Sequence, residues 1–198
     1  IYVHSGLINA AGNANEVQGV LAHELGHITG GHINRHSAGV ANVTRITILS
    51  ALLAAAAAFA GGGEAAMGLL AAGQQAAMGS YLAFSRVQEA SADAAGVQYL
   101  SGAGISGRGS LAFFRKLQNL EYRHGISQEN DMEYSRSHPM TGTRISRMEA
   151  DYIADPAWDT PSDAEIERRF TLARAKLYGY LAEPGRVFNA YPGYMTGE

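Results

Sequence analysis

His23-Glu24-Leu25-Gly26-His27 constrains this chain more than any other feature, because two histidines four apart serve one ion only if the segment is helical. Residues at that spacing differ by about 40° of rotation around a helix, so both imidazoles face one point. Glu24 falls on the neighbouring face, close enough to reach a water on such an ion without being a ligand, which is the position of a general base. The flanking sequence supplies the helix. Asn13 is placed to cap it with Glu16 three residues on, and Val17, Val20, Leu21, Leu25 and Ile28 recur at helical spacing.

Catalytic zinc takes three protein ligands and leaves a fourth position to water. The chain has no cysteine, so any metal must be held by His and carboxylates, and no cysteine nucleophile or disulfide framework exists. The position six residues beyond His27 is Ile33, and His32 misses it by one, so the longer metzincin pattern fails on register. His32 and His36 make their own four-spaced pair, but His32 is turned about 140° from His27. They are read as structural or surface histidines rather than ligands. The remaining route is a carboxylate from a second helix. Glu89-Ala90-Ser91-Ala92-Asp93 offers Glu89, with Asp93 one turn later to buttress a ligating histidine. Alone, that pattern is an ordinary solvated helix face; beside the first motif it becomes the candidate third ligand.

The rest of the chain reads as follows. Ile1 to Ile8 mixes β-branched and aromatic residues and predicts a short strand, closed by a turn at Asn9-Ala10-Ala11-Gly12. Residues 46–79 turn rich in Ala, Gly, Leu and Met, with an apolar stretch from Ile46 to Ala60. Thr47 and Ser50 within it, and the glycines that end it, argue against a membrane span, which needs about 20 apolar residues. The segment reads as a buried or flap-like helical hairpin, or as an element touching membrane surface or substrate. Tyr81 to Leu100 predicts a second long helix, and Leu111 to Tyr122 a third with core spacing. Asp131 to Pro139 reads as a loop and Thr141 to Asp151 as a helix. Pro156, Trp158 and Pro161 mark a connector; Ser162 then caps a helix from Asp163 to about Leu181, and Pro184 to Glu198 reads as a linker. Length fits one globular domain, and a net charge of −3 gives no field to gather nucleic acid. The opening without Met reads as an excised or processed fragment with no visible signal peptide.

H-E-L-G-H, then Ser85-Arg86-Val87-Gln88-Glu89-Ala90-Ser91-Ala92-Asp93, then Ser137-His138-Pro139 followed by Arg144-Ile145, resembles the M48 peptidase family over about residues 1–150. The resemblance implies an α+β, predominantly helical gluzincin fold: an active-site helix beside a small sheet whose edge, Ile1 to Leu7 here, binds extended substrate. It implies one Zn2+ per chain held by His23, His27 and Glu89, Glu24 as catalytic base, and Asp93 as the supporting or proton-donating acid. His138 would be a reversible fourth ligand that makes the enzyme latent, where a lone loop histidine is otherwise structural. Arg144 would contact substrate or transition-state charge, a surface salt bridge being the plainer alternative.

Within the family the chain is most similar to the bacterial periplasmic branch that assists outer-membrane β-barrel assembly. That implies unfolded or misassembled polypeptides as substrates, β-barrel proteins and their assembly machinery as partners, and a periplasmic location with membrane contact by 46–79 but no span. It also implies a protease domain over 1–155 lacking its N-terminal part, and a connector with a C-terminal helix over 156–198 leading to a repeat region. The rival from another class is a chaperone-like module that holds unfolded chains on the same fold, and a third reading is a closed structural zinc site; the intact Glu24 argues against both.

Overall fold

The computed structural model describes residues 1–123, 138 and 141–190, without the side chains of His36, Glu121, Tyr122, Arg123, Phe188 and Ala190. The expected loop at 131–137 with 139, the end of the expected linker at 191–198, and the placement of the His36 ring lie outside the described residues. The described elements are α1 (Ser5–Ala10), α2 (Ala14–Thr29), α3 (His32–Phe59), α4 (Gly63–Gly102), α5 (Arg108–Arg123), α6 (Gly142–Ile153), a 3-10 turn (Pro156–Asp159), α7 (Ala164–Leu181) and α8 (Pro184–Ala190). The fold is predominantly helical, and among the described residues there is no strand. Contacts divide the chain into two units, residues 1–24 with 94–198 and residues 25–93.

In the first unit, the core is built from Val20 and Ala22 of α2, Leu100 of α4, Leu111, Phe113, Phe114 and Leu117 of α5, and Ile145, Met148 and Tyr152 of α6. The helical spacing of the α5 residues in the sequence is the cause: each returns to one face and buries there. Polar ties fix the ends of these helices. Asn13 Oδ1 accepts from the Glu16 N–H at 2.8 Å, as expected of the cap, while Glu16 Oε2 accepts from the Gly12 N–H at 2.8 Å and from the Lys116 ammonium at 2.7 Å. The buried Asn15 amide donates to Ser106 O at 2.9 Å and accepts from the Gly109 N–H at 2.7 Å. These bonds satisfy amides that the starts of α2 and α5 would otherwise leave orphaned.

Three local expectations are corrected in this unit. The opening strand is absent: Ile1 to His4 carries no regular structure, and Ser5–Ala10 forms α1. β-Propensity expresses packing against neighbouring strands; with no strand beside it among the described residues, this segment pairs its amides internally and turns Leu7 onto the core. The cap of α7 is Asp163, not Ser162; its carboxylate accepts from the Ile166 N–H at 2.9 Å and meets the positive end of the helix dipole. Pro184–Ala190 is helical where a linker was expected, with Pro184 in the first turn, where its missing N–H costs nothing.

In the second unit, α3 and α4 form an antiparallel helical hairpin about a turn at Ala60–Gly62, with Gly61 at φ 82°, a conformation that favours glycine. Its register is marked by Gly39 against the Phe84 ring and by Asn42 Nδ2 donating to Ser80 Oγ at 2.7 Å. The small residues Ala54, Ala66 and Ala77 are buried. The hairpin was expected over 46–79; it is longer, and α4 runs without a break into the helix expected at 81–100. Nor is it a buried hairpin, since Ile48, Leu49, Leu52, Leu53, Phe59, Met67 and Met78 are exposed.

By length and composition alone α3, with 28 residues, is long and apolar enough to cross a membrane, so length does not decide the expectation that the segment makes no span. Thr47 and Ser50 weigh little against a span, because their hydroxyls donate back to Val43 O at 3.0 Å and Thr47 O at 2.9 Å within the helix.

Candidate metal centre

α2 carries His23 and His27 one turn apart on one continuous helix, as the spacing requires. Within the first unit, His23 is 1% exposed and its ring meets Phe114 edge-on at 5.5 Å. On another side it meets His138, also edge-on, at 5.4 Å. His138 Nε2 lies 3.9 Å from Glu24 Oε1, which is buried and takes no hydrogen bond among the described residues. The backbone of α4 approaches that of α2 closely here: a β-carbon on Gly96 would lie 3.3 Å from the His23 backbone nitrogen.

Within the second unit, His27 Nε2 faces Glu89 Oε1 of α4 at 3.3 Å. Gly26 makes that approach possible, since a β-carbon there would stand 2.7 Å from Ala92 O and 2.9 Å from Ala92 Cα. Asp93 is buried one turn beyond Glu89 on α4. The other ring nitrogen of His27, Nδ1, lies 2.8 Å from Nδ1 of His32, and His32 Nε2 lies 2.9 Å from Ser91 Oγ.

Each unit thus carries two side chains of kinds that ligate metal ions, His23 and His138 in the first and His27 and Glu89 in the second. Imidazole nitrogens with a single carboxylate and no thiolate suit zinc, so the residues present fit the ion the sequence implies. Arg144 stands in the first turn of α6, partly buried, its backbone N–H donating to the Thr141 cap at 3.3 Å.

Sequence reasoning missed two contributions. Phe114 was read as plain core, yet it also walls His23; nothing in its spacing on α5 distinguishes the two roles. His32 was placed by rotating along α2 as though the helix continued. In fact α2 ends at Thr29 and Gly31 adopts φ 63°, so His32 opens a new helix and folds back onto His27. Gly30-Gly31, a helix-breaking pair, was the available signal.

The sequence model of Peptidase family M48 matches residues 1–151. Among curated proteins, the chain is 33% identical over 160 residues to the metalloprotease LoiP of Escherichia coli (strain K12), covering 77% of this chain and 57% of that protein. It is 29% identical over 149 residues to the beta-barrel assembly-enhancing protease of Yersinia pestis, covering 74% of this chain and 29% of that protein. The chain therefore spans less than two thirds of the length of either relative. No solved structure matches it.

Proposed function

Because this chain belongs to peptidase family M48, we propose that it is a zinc-dependent endopeptidase that cleaves unfolded or misassembled polypeptides. The observation that carries the reading is Glu24 Oε1, a buried carboxylate oxygen with no hydrogen-bond partner among the described residues, on the same helix as His23 and His27. A buried acceptor without a hydrogen bond is costly, and a water held for the reaction would satisfy this one.

His23, His27 and Glu89 would hold the ion, which when bound supplies a Lewis acid for the scissile carbonyl and for the attacking water. Glu24 takes a proton from that water and delivers it to the leaving amine. Asp93, one turn from Glu89, serves as the supporting or proton-donating acid, and Arg144 contacts substrate charge. His138, near both His23 and Glu24, reversibly closes the open position and renders the enzyme latent.

The decisive experiment compares degradation of an unfolded protein by the zinc-loaded chain and by Glu24→Gln prepared identically. Activity lost in the variant is the expected result; equal cleavage by both would overturn the assignment. If neither cleaves while both suppress aggregation of the unfolded protein, the chaperone-like module is the better description.

The name of the Yersinia pestis relative refers to β-barrel assembly, which supports a role in bacterial envelope quality control, with the protein facing the periplasm. The hairpin adds a second element to that role. Residues 46–63 and 65–85 contain no charged side chain, Arg45 and Arg86 flank the stretch in sequence, and most of its large apolar residues are exposed. This pattern suits lipid contact with cationic side chains at the headgroups. Cosedimentation with anionic lipid vesicles should require the hairpin and fail in Leu52→Glu with Leu53→Glu; undiminished binding by that variant would remove the hairpin from the role.

A further inference from the structure

We propose that Glu167 and Arg174 of α7 are positioning residues that set the start of α2 and, through that helix, the placement of Glu24. This rests on the reading of Glu24 as the catalytic base.

The turn between α1 and α2 is held by charged side chains from three helices. Lys116 Nζ of α5 donates to Ala10 O at 2.8 Å and to Glu16 Oε2 at 2.7 Å, and Glu16 Oε2 accepts from the Gly12 N–H at 2.8 Å. Arg174 Nη1 donates to Ala11 O at 2.7 Å and to Gly12 O at 3.3 Å. Glu167 Oε2 accepts from the Ala14 N–H at 3.0 Å. Ala14 is the first residue of α2, so its amide is one that a helix cannot satisfy from its own backbone. Asn13 meets one such donor locally, and Glu167 meets another from 153 residues away.

Glu167, Phe170 and Arg174 are spaced to share one face of α7. Phe170 packs on the core, and the Arg174 guanidinium lies over its ring at 5.5 Å. No residue of α7 is buried, so the helix is lightly held, and elements with few buried contacts open at low cost. α5 grips the first turn of α2 through the buried bonds of Asn15 to Ser106 and Gly109. Release of α7 would leave α5 to hold that turn, and α2 could then tilt about the Asn15 contact. A helix carries a tilt at its start along its length. Glu24 lies ten residues beyond Ala14, about 15 Å along the axis. A base misplaced by about 1 Å can cost about 100-fold in rate.

The test uses the full zinc-loaded chain, an unfolded protein as substrate, and amide exchange read residue by residue. Glu167→Ala should speed exchange of the Ala14 amide about 10-fold while the core amides of Leu111 and Phe114 keep native protection. It should lower kcat about 10-fold with KM near native, since contacts to the rest of the substrate are untouched. Glu167→Gln, whose amide oxygen can accept from the Ala14 N–H, should restore both. Arg174→Leu loosens the same turn from its other bonds and keeps the proposal testable should Glu167→Ala lose its core protection; it should lower kcat in the same way.

Native kcat in Glu167→Ala and Arg174→Leu, whether or not Ala14 exchanges faster, would overturn the positioning role alone, provided that Glu24→Gln has lost cleavage. Equal cleavage by Glu24→Gln and the native chain would instead remove the catalytic assignment beneath it.

Discussion

Glu24 Oε1 lies 3.9 Å from His138 Nε2, and this pair separates catalysis from latency. Glu24→Gln keeps the shape of the side chain and abolishes its basicity, so zinc affinity should hold while turnover falls by about 100-fold or more. Steady-state cleavage measured beside zinc titration checks both halves. His138→Ala should raise cleavage or metal accessibility if His138 closes the open position, and unchanged values would end the latency idea. At Gly26 the decisive quantity is space. An alanine gains about 1 kcal/mol of helix propensity, but its β-carbon would press on Ala92 backbone atoms at 2.7 and 2.9 Å, which cannot rotate away. Overpacking typically costs about 1–3 kcal/mol. Gly26→Ala should therefore show a net loss of stability in chemical denaturation and weaker zinc binding, because His27 is the next residue.

At the scale of elements, α2 is the one whose ends matter most, since a frayed first turn would loosen the helix that carries both histidines. The Asn13 cap bond at 2.8 Å is expected to contribute about 1 kcal/mol. Asn13→Ala should lower the unfolding free energy by that amount, read from the denaturant midpoint, while Asn13→Asp should retain most of it. The α3–α4 hairpin follows a different rule. Ala54, Ala66 and Ala77 are buried while Ile48, Leu49, Leu52, Leu53, Met67 and Met78 remain exposed, so polar substitutions on the outer face should cost little stability and act on lipid binding instead.

For the molecule as a whole, the metal links folding to ligation. A ligand that binds only the native state stabilises it, by about 2.7 kcal/mol at a hundredfold excess over its dissociation constant. Zinc should raise the melting temperature and a chelator should lower it, and both shifts should vanish in His23→Ala. A melting temperature indifferent to zinc in the native chain would remove the metal from this group.

The sequence by itself determined the helix bearing His23, Glu24 and His27, its Asn13 cap, and the core face of α5. These are consequences of spacing and local hydrogen bonding, which the chain carries within a few residues. It also marked Glu89, which the structure sets 3.3 Å from His27, and His138, which it sets beside His23. Tertiary structure decided the rest. Ile1 to Ile8 has strand composition, but among the described residues there is no strand to pair with, and Ser5–Ala10 is helix. Ser162 and Asp163 were both competent caps, and their placement chose between them. His32 and Phe114 became neighbours of His27 and His23 only through a turn at Gly31 and the packing of α5. Such partners are set by long-range contact, and no periodicity in the chain records which side chain will stand behind another.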